Sequence, residues 1–192
     1  SPELSQSFLD DFGLPKPHTN LNVGSGSHAF QTANIMLSFE KVLNRLNPDI
    51  VIVVGDVNST VACAITAKKL GIKVAHVEAG LRSYDCSMPE EINRILTDSI
   101  SDLLFTTEPS ANENLKREGV LPEKIFFVGN TMIDSLIQQQ KKAVQLNTLA
   151  RIGLSRNGDG PIRYGLLTMH RPSNVDNPDR FTQLIRAISN IA

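Results

Sequence analysis

The chain has 192 residues, a formal net charge of −1 and 41% hydrophobic residues. That hydrophobic share is enough for a packed core and excludes a disordered chain, and the near-zero charge excludes a general attraction to nucleic acid or acidic membranes. Two cysteines, Cys63 and Cys86, with no Cys-x-x-Cys pair exclude a disulfide framework and a thiolate zinc site, and point to a reducing compartment, the cytoplasm. No apolar run reaches the roughly 20 residues that cross a bilayer, and no metal site is expected. The acidic and apolar N-terminus lacks the basic region of a signal peptide. The first residue is not Met, so the chain is expected to begin inside a longer gene product.

In chain order, Ser7–Phe12 and Ala29–Leu46 read as helices, separated by a loop over Lys16–Ser27 rich in Asn, Gly and Ser. Ile50–Val54 is β-branched and apolar on both faces, as a buried parallel strand requires. A helix over Ser59–Leu70 follows, with Gly71 as its stop and Ser59 or Asn58 as its cap. The cycle repeats: strand Lys73–Val77 and helix Pro89–Ser101; strand Leu103–Thr107 and helix Pro109–Glu118; strand Ile125–Val128 and helix Ile133–Val144. Alternation of this kind predicts an α/β fold, a Rossmann-like parallel sheet covered on both faces. Gln145–Ile162, with its Asn, Gly and Pro, reads as a linker. A strand over Arg163–Thr168 and a helix over Asn177–Ile191 then open a second domain that looks incomplete.

Ligands of open parallel sheets sit beyond the carboxyl ends of the strands. Asp56 follows the first strand and reads equally as a turn residue and as a ligand-edge carboxylate. Glu78 follows the second, where a carboxylate is costly unless paired or used; a Glu78–Arg82 salt bridge is the bland alternative. His76 reads as a satisfied core histidine. Glu90 and Glu91 fit ordinary helix-start chemistry, and Ser87 with Glu90 has capping-box spacing. Yet Glu90 and Arg94 lie one turn apart and share a face. His170 and Arg171 follow the Arg163–Thr168 strand and suit a phosphate. The Gly24–His28 stretch lacks phosphate-loop spacing and reads as a mobile loop. Several carboxylates with opposing cations imply proton transfer on an anionic substrate.

VGDVNST (Val54–Thr60), HVEAGLRS (His76–Ser83), MPEEINR (Met88–Arg94), GNTMID (Gly129–Asp134) and HRPSN (His170–Asn174) occur in this order. Together they resemble the ordered motifs of the non-hydrolysing UDP-N-acetylglucosamine 2-epimerases. The resemblance implies two Rossmann-like domains in the glycosyltransferase-B arrangement, residues 1–129 forming the first and 130–192 the start of the second. It implies interconversion of UDP-N-acetylglucosamine and UDP-N-acetylmannosamine by loss and re-addition of UDP, with no cofactor and a homodimer as the full-length form. Carried over by position, Asp56, Glu78 and Glu90 match the acid/base carboxylates. Arg94 and His170 match cleft residues, with His170 on the phosphates; Arg82, Arg171 and Asn174 stand in matching motifs as substrate-binding candidates. The last motif departs from the familiar His-Arg-Arg-Glu-Asn at Pro172 and Ser173, which leaves the sugar substituents open. The family's opening Gly-Thr-Arg-Pro-Glu loop and most of the second domain have no counterpart, so the chain alone is expected to be inactive. Competing readings are an epimerase of another UDP-sugar, a UDP-sugar glycosyltransferase and an inactive epimerase remnant.

Overall fold

The computed structural model describes residues 12–156, 160–169 and 172–190. His170 and Arg171 lie outside the described residues, as does the expected Ser7–Phe12 helix apart from Phe12. The chain divides into two compact units, Ser1–Gln140 and Lys141–Ala192.

Among the described residues the first unit's leading long helix is α1, His28–Leu46, capped by the Ser27 hydroxyl, which accepts from the Phe30 amide at 3.2 Å. Then come β1 (Ile50–Val54), α2 (Asn58–Lys69), β2 (Lys73–Ala79), α3 (Pro89–Ile100), β3 (Leu103–Thr106), α4 (Pro109–Arg117), β4 (Ile125–Phe127) and α5 (Thr131–Gln145). All four strands pair in parallel in the order β1-β2-β3-β4. These elements match the sequence expectation within a few residues. β2 is longer than expected and carries Glu78 inside it, at a register shift between Val77 and Ala79.

Helices α1 to α4 gather on one face. Leu43 of α1 and Ala64 and Ala67 of α2 pack on Val51, Val53 and Val74, joined by Ile100 of α3. Leu115 of α4 packs on Ala79 and Leu104. Each of the buried leucines contributes roughly 2 kcal/mol by leaving water. The expectation of a sheet covered on both faces is therefore corrected: Ile52 is 65% and Val54 57% exposed on the other face. The cause is topological, because right-handed crossovers that always step in one direction deposit their connecting helices on the same side.

In the second unit the expected linker contains a short helix, α6 (Thr148–Arg151), and an antiparallel pair, β5 (Ser155–Arg156) with β6 (Gly160–Pro161). Residues 162–169 are irregular, so the expected strand over Arg163–Thr168 is not formed. A strand needs a neighbour to take up its amides and carbonyls, and the described residues offer this segment none. α7 (Pro172–Val175) and α8 (Pro178–Ser189) close the unit, with Asn177 capping α8 through the Arg180 amide at 3.0 Å. No described residue of this unit is buried.

Candidate active site

The carboxyl end of β1 turns at Gly55, whose φ of 70° favours glycine. The next residue, Asp56, accepts a charge-assisted hydrogen bond from Arg94 Nη2. Asn93 Nδ2 donates to the Asp56 carbonyl at 2.9 Å, so α3 fixes both the backbone and the side chain of Asp56. The expected caps of α2 are not used: Val57 stands at the cap, and the Thr60 hydroxyl donates to the Val54 carbonyl at 2.7 Å. Asn58 turns towards α1 instead, donating to Gln31 Oε1 at 2.9 Å and meeting His28 Nδ1.

Glu78 has a φ of 73°, a left-handed conformation that costs a non-glycine residue about 1–3 kcal/mol. Its Oε2 lies 3.9 Å from where a Cβ on Gly55 would stand. Asp56 and Glu78 thus flank the same turn. The alternative Glu78–Arg82 pair is not formed. Arg82 runs inward, 2.7 Å from Asp98 and 2.6 Å from Glu118, with 1% of its side chain exposed. Burial works against its charge, but Glu118 and Asp98 outweigh burial and raise its pKa. That orientation commits the Arg82 guanidinium to Asp98 and Glu118 in this structure.

Of the adjacent acids at the start of α3, Glu90 is exposed and Glu91 is 1% exposed. Pro89 opens the helix after Met88, without a capping box, because Ser87 bonds Asp85 instead. Glu91 accepts the amides of Ser83 at 2.9 Å and Tyr84 at 3.0 Å and pairs with Arg94 Nη1 at 2.6 Å. Burial opposes the charge of Glu91, yet those amides, the Ser83 hydroxyl and Arg94 prevail and hold its carboxyl below the usual range. Arg94 therefore bridges Asp56 and Glu91, not Glu90, although Glu90 shares its helix.

An open cavity of about 340 Å³ lies at these strand ends, with Asp56, Asn58, Glu90, Asn93 and His28 in its walls. Val23 and Gly24 also line it, so the loop read from sequence as merely mobile reaches the site. The sequence reading missed Glu91, Asn93, Asn58 and His28. A usable signal existed for Glu91 and Asn93, which share a motif with Arg94, and for Asn58, which shares one with Asp56. Asn174 lies on α7 in the second unit. His76 is the satisfied core histidine expected: fully buried, with Nδ1 2.6 Å from Asp98 and Nε2 2.8 Å from the Gly55 carbonyl. Among the described residues no group of acids, histidines and cysteines forms a metal site. Asp56 and Glu78 at adjoining strand ends and Glu90 at the start of α3, Asp56 held by a guanidinium, can accept and return protons around an anionic ligand.

A family model described as UDP-N-acetylglucosamine 2-epimerase matches residues 1–192. The UDP-N-acetylglucosamine 2-epimerase of Methanocaldococcus jannaschii is 46% identical over 191 residues, covering 100% of this chain and 52% of that protein. The UDP-2,3-diacetamido-2,3-dideoxy-D-glucuronate 2-epimerase of Pseudomonas aeruginosa is 42% identical over 190 residues, covering 98% of this chain and 51% of that protein. A crystal structure of Methanocaldococcus jannaschii UDP-GlcNAc 2-epimerase in complex with UDP-GlcNAc and UDP aligns with a TM-score of 0.86 at 45% identity, over 97% of this chain and 50% of that one. The chain spans about half the length of these relatives. By the family match over residues 1–192 and by the identity of its relatives, the chain belongs to the UDP-N-acetylglucosamine 2-epimerase family.

Proposed function

We propose that the full-length protein carrying this chain interconverts UDP-N-acetylglucosamine and UDP-N-acetylmannosamine. UDP leaves carbon 1 with the bonding electron pair while a carboxylate takes the proton from carbon 2, leaving a glycal. UDP then adds back at carbon 1 as a carboxyl group returns a proton to the opposite face of carbon 2. The observation that supports this reading is that Asp56 and Glu78 flank the Gly55 turn while Asp56 and Glu90 line one cavity. Two-faced proton exchange needs more than one acid/base group, and the identity to the Methanocaldococcus jannaschii epimerase supports the substrate class.

In this reading Arg94 holds Asp56 in place, and Arg82 secures the end of β2 from within. His170 and Arg171, with Asn174, supply the phosphate and sugar contacts. Residues 1–129 form the first of two Rossmann-like domains in a glycosyltransferase-B arrangement and 130–192 begin the second. The full-length enzyme works as a cytoplasmic homodimer without a cofactor. Among the described residues no helix is long and apolar enough to cross a membrane.

A second reading keeps the chemistry and changes the sugar. It has the weaker support: 42% identity to an epimerase of a diacetamido glucuronate, against 46% to the Methanocaldococcus jannaschii enzyme, and the Pro172-Ser173 departure. The test incubates the full-length protein with each UDP-sugar in deuterated water and follows carbon 2 by proton NMR. Epimer with deuterium at carbon 2 is expected from one of them; neither epimer nor exchange from both would overturn the reading.

A further inference from the structure

Asp98 sits on α3 with 1% of its side chain exposed, outside the walls of the active-site cavity, and no step of the proposed reaction uses it. Its carboxylate is nevertheless committed on every side. Oδ1 lies 2.6 Å from His76 Nδ1, and Oδ2 accepts the Gly80 amide at 3.0 Å and faces Arg82 Nη1 at 2.7 Å. His76, in β2, and Gly80, just beyond its end, stand two residues before and two after Glu78. Each is pinned again on its far side. His76 Nε2 is 2.8 Å from the Gly55 carbonyl, which only accepts, so Nε2 carries a proton and ties β2 to the β1 turn. The Gly80 carbonyl accepts from Asn114 Nδ2 at 2.9 Å, and its Cα is so close to α4 that a Cβ would stand 2.6 Å from the Ala111 carbonyl oxygen.

Between these anchors the strand must absorb an irregularity, and it does so at Glu78, where φ is 73° and the register shifts. A left-handed glutamate persists only where its surroundings over-determine it. We propose that Asp98 is the positioning residue of Glu78. Its carboxylate clamps both flanks of the bulge and so imposes the left-handed conformation that turns the Glu78 carboxylate towards the Gly55 turn. The proposal rests on the reading of Glu78 as an acid/base group. Misplacement of a reacting group by about 1 Å costs on the order of 100-fold in rate. Asp98 is thereby a determinant of turnover although it touches no substrate.

The test uses the full-length protein and Asp98→Asn, which keeps the shape and removes the charge. Turnover is expected to fall by about 100-fold with KM little changed, because positioning acts on the transition state. In a Glu78→Gln background the same change is expected to add no further loss, and a crystal structure of Asp98→Asn is expected to show Glu78 relaxed to negative φ. If Asp98→Asn does not fold, His76→Gln removes one arm of the clamp and is read in the same way. Wild-type turnover in the folded variant, an equal loss in the Glu78→Gln background, or a Glu78 that keeps its positive φ would each overturn the proposal. Wild-type exchange by Glu78→Gln alone would overturn the functional reading instead, and the conformation of Glu78 in the variant would still decide the clamp.

Discussion

Asn93 fixes the main chain of Asp56, its side-chain amide donating to the Asp56 carbonyl at 2.9 Å. Asn93→Ala leaves that carbonyl without its donor. A loss of about 1–3 kcal/mol is expected in denaturant unfolding, together with reduced turnover as the Asp56 loop loosens. Unchanged unfolding and turnover would show that the bond does not hold the loop.

Asp56→Asn, Glu78→Gln and Glu90→Gln are each expected to lower epimerisation by about 100- to 10,000-fold. Their stabilities should differ. Glu90 is exposed, so its variant is expected to unfold within about 0.5 kcal/mol of wild type. Asp56→Asn gives up an ion pair to Arg94 and should unfold more readily. Turnover at the wild-type level in all of them would refute the acid/base assignment.

The pH dependence of Glu91 has a definite sign. Its carboxyl is held below the ordinary range in the fold, so its stabilisation is complete above about pH 4.3, the unperturbed glutamate value. That stabilisation is lost as pH falls through the lower folded value. Glu91→Gln is expected to be less stable than wild type by about 2 kcal/mol at neutral pH, with the gap closing in acid. A gap that is constant from neutral pH to pH 3 would refute the depressed titration.

The two cysteines should react differently. Burial pushes the Cys63 thiol up to about 11, whereas Cys86 is exposed. The thiolate is the reactive form. At pH 8, alkylation followed by mass spectrometry is expected to label Cys86 first and Cys63 only after unfolding. Equal labelling rates in the native protein would contradict the burial of Cys63.

Gly80→Ala is expected to be severely destabilising. Its φ is 79°, and the new methyl group would meet backbone oxygen at 2.6 Å. Strain at such a φ alone costs about 1–3 kcal/mol, and the clash with α4 adds to it. Near-native melting of this variant would mean that α4 is free to move.

Strand and helix positions in the first unit were legible because β-branched runs such as Ile50–Val54 and glycine stops such as Gly71 are local signals. The candidate carboxylates were legible for a related reason: parallel sheets place ligands at strand ends, and Asp56 and Glu78 are there. What the sequence did not disclose is long-range. Which of Glu90 and Glu91 turns inward depends on where the Ser83 and Tyr84 amides arrive, eight and seven residues from Glu91. The true partners of Arg82, Asp98 and Glu118, stand further along the chain on or beside other helices. The Arg163–Thr168 segment has a strand's composition, but composition supplies no neighbour. The left-handed Glu78 had no signal at all, since glutamate is not a residue that seeks that conformation.

The order β1-β2-β3-β4 repeats the order in which the strands are synthesised. Each strand has only to add itself to the rim left by the strand before it, and none must be threaded between two already in place. Connections of this length keep the closure entropy of every step small. Such an order allows the elements to dock in chain order. If they dock so, Asp56 and Glu78 are neighbours once β2 has docked, and Arg94 and Asp98 arrive a helix later. For that interval the β1 turn is built and its carboxylates are not yet held, which makes α3 the element whose docking switches the nascent site from loose to fixed.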